Sequence, residues 1–380
     1  MTDKKPSIVL ASGGTGGHIF PAEALAQELK IRGFEPVLIT DKRYEDYRGN
    51  LRNFEAYTIR TSTPSGSLVK KIGSVVDMGV GYMQALGMLR KIKPAVVVGF
   101  GGYPSFPTMF AATHLGIKTI IHEQNSLLGR ANIVLAKKVQ KIATSFAEVK
   151  GIEESDKKKV VFTGNPVRAA IRALRDAPYP ELSEHSDFNI LVTGGSQGAT
   201  IFSTVIPEAI HKLPPALKAR VRVDQQCRPA DLEQAKKAYK DIGVDAYLTT
   251  FFNDMPERIA KAHLLIVRSG ASTLAEITVA GRPAIMVPYP HAMDNHQAVN
   301  ADTLEDAGAG WVMPQDAFTA DALSTRIESF LNLPATLKEA AEKSRAAGEP
   351  EAAARLADMV EQMILPNTNG HNGNGHKEAA

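Results

Sequence analysis

At 380 residues the chain is long enough for two domains, each burying its own core. A net charge of +3 gives no reason to expect nucleic acid as a partner, and a single cysteine, Cys227, excludes an internal disulfide framework and fits a reducing compartment. No apolar run approaches the roughly 18 residues a membrane span needs, and Met1-Thr2-Asp3-Lys4-Lys5-Pro6 has no apolar h-region, so a soluble or peripheral protein without a signal peptide is expected.

Ile8-Val9-Leu10-Ala11 reads as a buried parallel strand, and Ser12-Gly13-Gly14-Thr15-Gly16-Gly17-His18 as a glycine-rich turn. Ala22, Leu25, Ala26 and Leu29 then fall at helical spacing, with Pro21 expected in the first turn, where its missing N–H costs nothing. The bare N–H groups of such a helix start favour anions, phosphate above all. His18 closes the turn. A helix N-terminus disfavours its charged form, so it is expected neutral, as a general base should be; the plainer reading is a histidine hydrogen-bonded locally.

Further strands are expected at 36–40, 55–59, 95–99, 118–122, 141–144 and 159–162. Between them, 68–92 reads as a helix with Leu68, Ile72, Val75, Val76, Val80, Met83 and Leu86 apolar beside Lys70, Lys71, Arg90 and Lys91. Helix core is the usual meaning of such a stripe; with Lys137, Lys138 and Lys141 as neighbours it also suits a membrane-facing patch. Strand 95–99 leads into Gly101-Gly102-Tyr103-Pro104-Ser105, and strand 118–122 into His122-Glu123-Gln124-Asn125. Ligands of open α/β sheets gather at this carboxyl edge, which improves the catalytic case for His18 with Glu123 and Asn125.

A Pro- and charge-rich linker is expected between about 163 and 187. After it Phe188–Thr193, Gly194-Gly195-Ser196-Gln197-Gly198 and a helix through Ile201, Val205, Ile206 and Ile210 repeat the opening construction. Strands follow near 220–224, 245–248, 263–267, 283–287 and 310–312, and helices over 319–332 and 335–365. Neither glycine loop spells G-x-G-x-x-G, which counts against NAD or FAD. Ala271-Ser272-Thr273-Leu274-Ala275-Glu276 opens a helix whose N–H groups could hold a diphosphate while Glu276 takes ribose hydroxyls; Thr273-x-x-Glu276 is also a capping box, and spacing alone favours the cap. The loop ending His296-Gln297 suits sugar hydroxyls or plain solvation. No Ser/His/Asp nucleophilic set is expected, and the chain has no Asp-x-Asp triplet, H-E-x-x-H or cysteine pair, so a metal ion is not expected either. A departing diphosphate would then rely on helix N-termini and an arginine. From Pro366 the chain is a low-complexity tail, expected to be disordered.

Taken together, Gly13-Gly14-Thr15-Gly16-Gly17-His18-x-x-Pro21, Gly101-Gly102-Tyr103-Pro104-Ser105, His122-Glu123-Gln124-Asn125, Gly164-Asn165-Pro166-Val167-Arg168, Gly194-Gly195-Ser196-Gln197-Gly198-Ala199 and Arg268-Ser269-Gly270-Ala271 resemble the bacterial MurG family of N-acetylglucosaminyltransferases, in order from about Ser7 to Leu365. The resemblance implies an α/β GT-B fold, two Rossmann-like domains with parallel sheets facing across a cleft. Residues 1–164 would form the acceptor and membrane-side domain, joined by a returning helix at 350–365, and 165–349 the donor domain. The implied reaction moves GlcNAc from UDP-GlcNAc to the 4-hydroxyl of the muramoyl sugar of lipid I, giving lipid II with inversion and needing no cofactor. By motif match the donor would be held by Thr15, Gly16, Gly17, Asn125, Arg168, Ser196, the backbone of Phe252, Ala271 to Glu276, and His296-Gln297. The acceptor diphosphate would lie against Gly13, Gly14, Gly101, Gly102 and Tyr103. His18 would be the base, with Glu123 and Asn125 as rivals. The 68–92 patch would rest on the anionic inner membrane, with other cell-wall synthesis proteins as partners. The family often has consecutive glutamines where this chain has His296-Gln297. Alternatives are a UDP-GlcNAc 2-epimerase of related fold and a non-catalytic nucleotide-sugar-binding scaffold.

Overall fold

The computed structural model describes residues 6–13, 16–46, 50–62, 68–195 and 198–365, apart from the side chains of 45, 46, 50 and 68–71. The expectations for the first five residues, Gly14, Thr15, Lys70, Lys71, Ser196 and the tail from 366 fall outside it. β1 (Ser7–Ala11), β2 (Glu35–Thr40), β3 (Glu55–Thr58), β4 (Val96–Gly99), β5 (Lys118–Glu123), β6 (Lys141–Thr144) and β7 (Val160–Phe162) form a parallel sheet in the order β3-β2-β1-β4-β5-β6-β7. α1 (Gly16–Ile31), α2 (Leu68–Ile92), α3 (Gly102–His114) and α4 (Arg130–Ala136) belong to it. After the short α5 (Ala169–Arg172), β8 (Phe188–Thr193), β9 (Val221–Gln226), β10 (Asp245–Thr249), β11 (Leu264–Val267), β12 (Ala284–Met286) and β13 (Gly310–Val312) form a second parallel sheet, ordered β10-β9-β8-β11-β12-β13. Its helices are α6 (Thr200–His211), α7 (Pro215–Lys218), α8 (Leu232–Asp241), α9 (Met255–Lys261), α10 (Ala271–Val279), α11 (His296–Asp306), α12 (Ala320–Asn332) and α13 (Pro334–Ala347). Runs such as Val96-Val97-Val98 and Leu264-Leu265-Ile266-Val267 are buried on both faces, as strands sandwiched between helix layers must be.

In each sheet the strand order reverses once, between β1 and β4 and between β8 and β11. Loops leaving these neighbouring strands diverge to opposite faces and open a crevice at the carboxyl edge. Gly13 and Gly101-Gly102 flank the first crevice; Gly194-Gly195 and Ser269-Gly270 flank the second.

Two expectations need correction. The helix expected over 335–365 is broken. α13 ends at Ala347, and α14 (Ala352–Ile364) begins after Gly348-Glu349-Pro350. Gly348 passes so close to α10 that a Cβ there would lie 2.4 Å from the Thr278 carbonyl oxygen, and Pro350 cannot extend a helix. α14 then crosses to the first sheet, where Leu356, Ala357 and Val360 join Ile8, Leu25 and Leu29 in one core, while Arg32 bonds Asp358 at 2.6 Å and Glu361 at 3.3 Å. Pro21 lies beyond the first turn of α1, which starts at Gly16. Its missing N–H therefore deprives the Gly17 carbonyl of its helical donor.

The two connections between the sheets cross at Gly164. Its φ of +80° is a left-handed conformation, and a Cβ would lie 2.7 Å from that of Glu349. The Gly164 carbonyl accepts from Nε2 of the buried His122 at 3.1 Å, while His122 Nδ1 accepts from Gln124 at 3.1 Å. The ring is thus a neutral Nε2–H tautomer, and burial pulls its pKa down to about 4. In the unfolded chain the same imidazole titrates near 6.5. Its contribution to stability is therefore complete above that pH and is lost as pH falls from 6.5 towards 4. Urea unfolding at neutral pH and at about pH 5 should show a loss of roughly 2 kcal/mol from this group, and His122→Gln should flatten the slope correspondingly.

Candidate active site

The two crevices face one another. Ser272 Oγ, on the first turn of α10, donates to the Gly17 carbonyl at 2.9 Å, the acceptor that Pro21 leaves without a helical partner. The first-turn backbones of α1 and α10 therefore meet across the gap between the sheets, with their positive ends at one place. Gly13 sits where a Cβ would lie 2.9 Å from Pro104 and 3.0 Å from Thr40 Oγ1, so only glycine lets the first loop pack against α3.

On the first-sheet side, the His18 ring lies on the Gly101-Gly102 turn; a Cβ on Gly102 would be 3.2 Å from its Cδ2 and Nε2. Both glycines have φ above +70°, and Gly101 at φ +77°, ψ −173° occupies a region open essentially to glycine alone. His18 Nδ1 is buried with no partner among the described residues. Burial is the main reason its pKa is lowered; the charge of Glu123 works the other way, and facing His296 lowers it further. The neutral imidazole expected from the helix terminus is present, but its principal cause is desolvation. Tyr103 follows, half-buried, at the start of α3.

Glu123 is buried, and neutral donors occupy both of its oxygens. Oε1 accepts from the Asn125 backbone N–H at 3.0 Å and Asn125 Nδ2 at 3.1 Å; Oε2 accepts from the Gly129 N–H at 2.9 Å and Asn132 Nδ2 at 2.8 Å. A carboxylate so engaged is suited to holding a loop. The Asn125 side chain is held in turn, since Oδ1 accepts from Asn300 Nδ2 at 3.1 Å. Asn300, fully buried on α11, also donates to the Ser269 carbonyl at 3.3 Å and accepts from Ser126 N–H and Oγ, each at 2.9 Å. One amide from the second half thus ties the His122–Ser126 loop to the start of α10. Sequence reading passed Asn300 over, although it lies one helical turn beyond His296.

On the second-sheet side, Arg168 and Glu276 form a two-point ion pair at 2.8 and 3.0 Å, with Arg168 stacked 4.5 Å above the Phe20 ring. The capping-box reading fails. α10 begins at Ala271 after Gly270, Thr273 lies inside it, and Glu276 turns to Arg168. Ser272 and Glu276 face the cleft, whereas the Ala271, Leu274 and Ala275 side chains point towards a separate cavity. The Phe252 ring is held by Arg258, whose guanidinium lies 4.4 Å from it and 4.3 Å from the Tyr247 ring, the two rings being 6.2 Å apart. His296 Nδ1 donates to the Met293 carbonyl at 2.7 Å, and Gln297 Oε1 accepts from the Tyr289 N–H at 2.9 Å. Before them, Asp294 and Asn295 are left-handed (φ +53° and +55°), and Arg130 reaches across from α4 to bond Asp294 at 3.0 and 2.8 Å. That clasp carries no local sequence signal, because its partners lie 164 positions apart.

Residues 8–144 match the glycosyltransferase family 28 N-terminal domain, and 189–356 the family 28 C-terminal domain. The chain is 52% identical over 371 residues, 97% of its length and 100% of the relative's, to a UDP-N-acetylglucosamine--N-acetylmuramyl-(pentapeptide) pyrophosphoryl-undecaprenol N-acetylglucosamine transferase of Paramagnetospirillum magneticum. It is 51% identical to the enzyme of that name from Rhodospirillum centenum, covering 93% of each chain. Among solved structures, MurG of Acinetobacter baumannii superposes with a TM-score of 0.74 at 27% identity, covering 94% of this chain and 99% of that one. The UDP-GlcNAc 2-epimerase of Neisseria meningitidis shares the fold alone, at TM-score 0.63 and 16% identity, covering 94% of this chain and all of the other. With both family 28 domains matched in order and half the residues identical over nearly the full length, the chain belongs to the MurG family of GT-B glycosyltransferases.

Proposed function

We propose that the chain transfers GlcNAc from UDP-GlcNAc to the 4-hydroxyl of the muramoyl sugar of lipid I, forming lipid II with inversion. The observation that carries the reading is the Ser272–Gly17 contact, which joins the anion-favouring starts of α10 and α1 in one crevice. The donor lies along the second-sheet side, with uracil at the Phe252 backbone and the sugar beneath Asn125, His296 and Gln297. Arg168 and Glu276 neutralise each other in a two-point ion pair. The ribose diol takes over Glu276 and the diphosphate takes over Arg168, so donor binding exchanges one ion pair for two ligand contacts. The acceptor diphosphate lies against Gly13 and the Gly101-Gly102-Tyr103 turn. The 4-hydroxyl then attacks the anomeric carbon from the face opposite UDP, neutral His18 accepts its proton, and the helix starts and Arg168 stabilise the departing diphosphate. Glu123 and Asn125 position this edge. Residues 1–164 with 350–365 form the acceptor side, and 165–349 the donor side.

Among the described residues no helix is long and apolar enough to cross a membrane. α2 nevertheless exposes Ile72, Val75, Val76 and Met83, each about 60% or more, and α4 exposes Ile133 and Val134. Both helices pack on α3, and Lys137 and Lys138 continue the surface. Apolar side chains ringed by lysines favour an anionic bilayer surface, which supports a peripheral site on the cytoplasmic face of the inner membrane, where other cell-wall synthesis proteins would also meet it.

Incubation with UDP-GlcNAc should release UDP only when a lipid I analogue is present. Appearance of ManNAc without acceptor would establish an epimerase, and donor binding without turnover a scaffold. His18→Ala should lower kcat by about 10²- to 10⁴-fold while the Kd for UDP-GlcNAc stays within about threefold; unchanged turnover removes His18 as the base. Ile72→Glu with Val75→Glu, or Lys137→Glu with Lys138→Glu, should each weaken sedimentation with phosphatidylglycerol-containing vesicles about tenfold or more, and unchanged sedimentation rejects the patch.

A further inference from the structure

α10 has a second face. Turned away from the cleft, Leu274 and Thr278 wall a cavity of about 180 Å³ that Phe146 and Phe162 close from the first-sheet side and Leu304 from the second. It lies at the pivot, where the connection through Gly164-Asn165 passes the one through Glu349. Asn165 also lines it. That side chain is only 4% exposed, and neither its Nδ2 nor its Oδ1 has a hydrogen-bond partner among the described residues. A buried primary amide without partners is costly, so a group that supplies both an acceptor and a donor is called for. Most of the remaining lining is aromatic, aliphatic or alanine, with Ser145, Thr278, Thr303 and Glu349 as its other polar residues, and a cavity of about 150 Å³ accepts a benzene-sized molecule.

We propose that this pivot cavity is a binding site, separate from the cleft, for a compact, flat, largely apolar molecule with an amide edge whose N–H and C=O pair with the Asn165 side chain. Its occupant bridges both halves and rests on α10, the helix whose other face carries Ser272 and Glu276.

Benzamide is the probe and toluene its counterpart without the amide, both titrated by NMR into the full chain. Benzamide should saturate with a Kd of about 1 mM, and saturating UDP should change that less than about threefold. Asn165→Leu, which keeps the shape and removes the orphan amide, should weaken benzamide at least about tenfold, leave toluene within about threefold, and leave the melting temperature equal or higher. Ala307→Phe, at the exposed mouth, should exclude both probes whatever happens at 165. The proposal is overturned if neither probe binds at tens of millimolar, if UDP displaces benzamide, if Asn165→Leu weakens both probes equally or neither, or if a benzamide-soaked crystal shows water alone on Asn165.

Discussion

Proline at position 21 cannot donate to the carbonyl four residues back, and the hydroxyl of Ser272 takes its place. A defect internal to one helix thus becomes a contact between two domains. The bond runs from a short first-turn side chain to a first-turn backbone carbonyl, so it sets the spacing of two positive helix ends. A sugar nucleotide and a lipid-linked diphosphate both carry their charge on phosphate. A crevice bounded by such ends can hold either and stabilise the charge that moves from one to the other.

Around that contact the charged groups are ion-paired or hydrogen-bonded. Arg168 and Glu276 share two hydrogen bonds, Arg130 holds Asp294 and keeps its carboxyl below the ordinary range, and Glu123 is saturated by amides and backbone N–H groups. Each of these charges is thus ion-paired or hydrogen-bonded, and a bare buried charge would be expensive. Among the described residues His18 Nδ1 has no hydrogen-bond partner, on a ring that burial keeps neutral. Proton transfer from a hydroxyl requires that state, and the glycine turn at 101–102 lets the ring sit where any side chain would crowd it.

The same economy shapes the pivot. Gly164 must be left-handed and without a Cβ because Glu349 and Ala352 pass against it, and Gly348 must be bare because it slides past Thr278. With both crossings drawn so close, the gap left beside them is small, mostly apolar and walled by α10. The gap and the cleft therefore lie against two faces of one helix.

Much of the fold was legible in the amino-acid order, because strands such as β1, β4, β8 and β11 are short apolar runs, and each strand lies within two residues of its expected bounds. Position along the chain also determined that His18, Gly101-Gly102, Glu123 and Asn125 share an edge, since in a parallel sheet every strand ends on the same side. Periodicity could not reveal the break at Gly348, where a close passage rather than a local propensity stops the helix. Nor could it reveal that Glu276 pairs with Arg168 instead of capping α10, that Asn300 binds the loop at Asn125, or that Arg130 holds Asp294. Those partners stand more than a hundred positions apart, and only folding brings them within hydrogen-bonding distance. Burial, which no single residue carries in its identity, decided that the imidazoles of His18 and His122 are neutral.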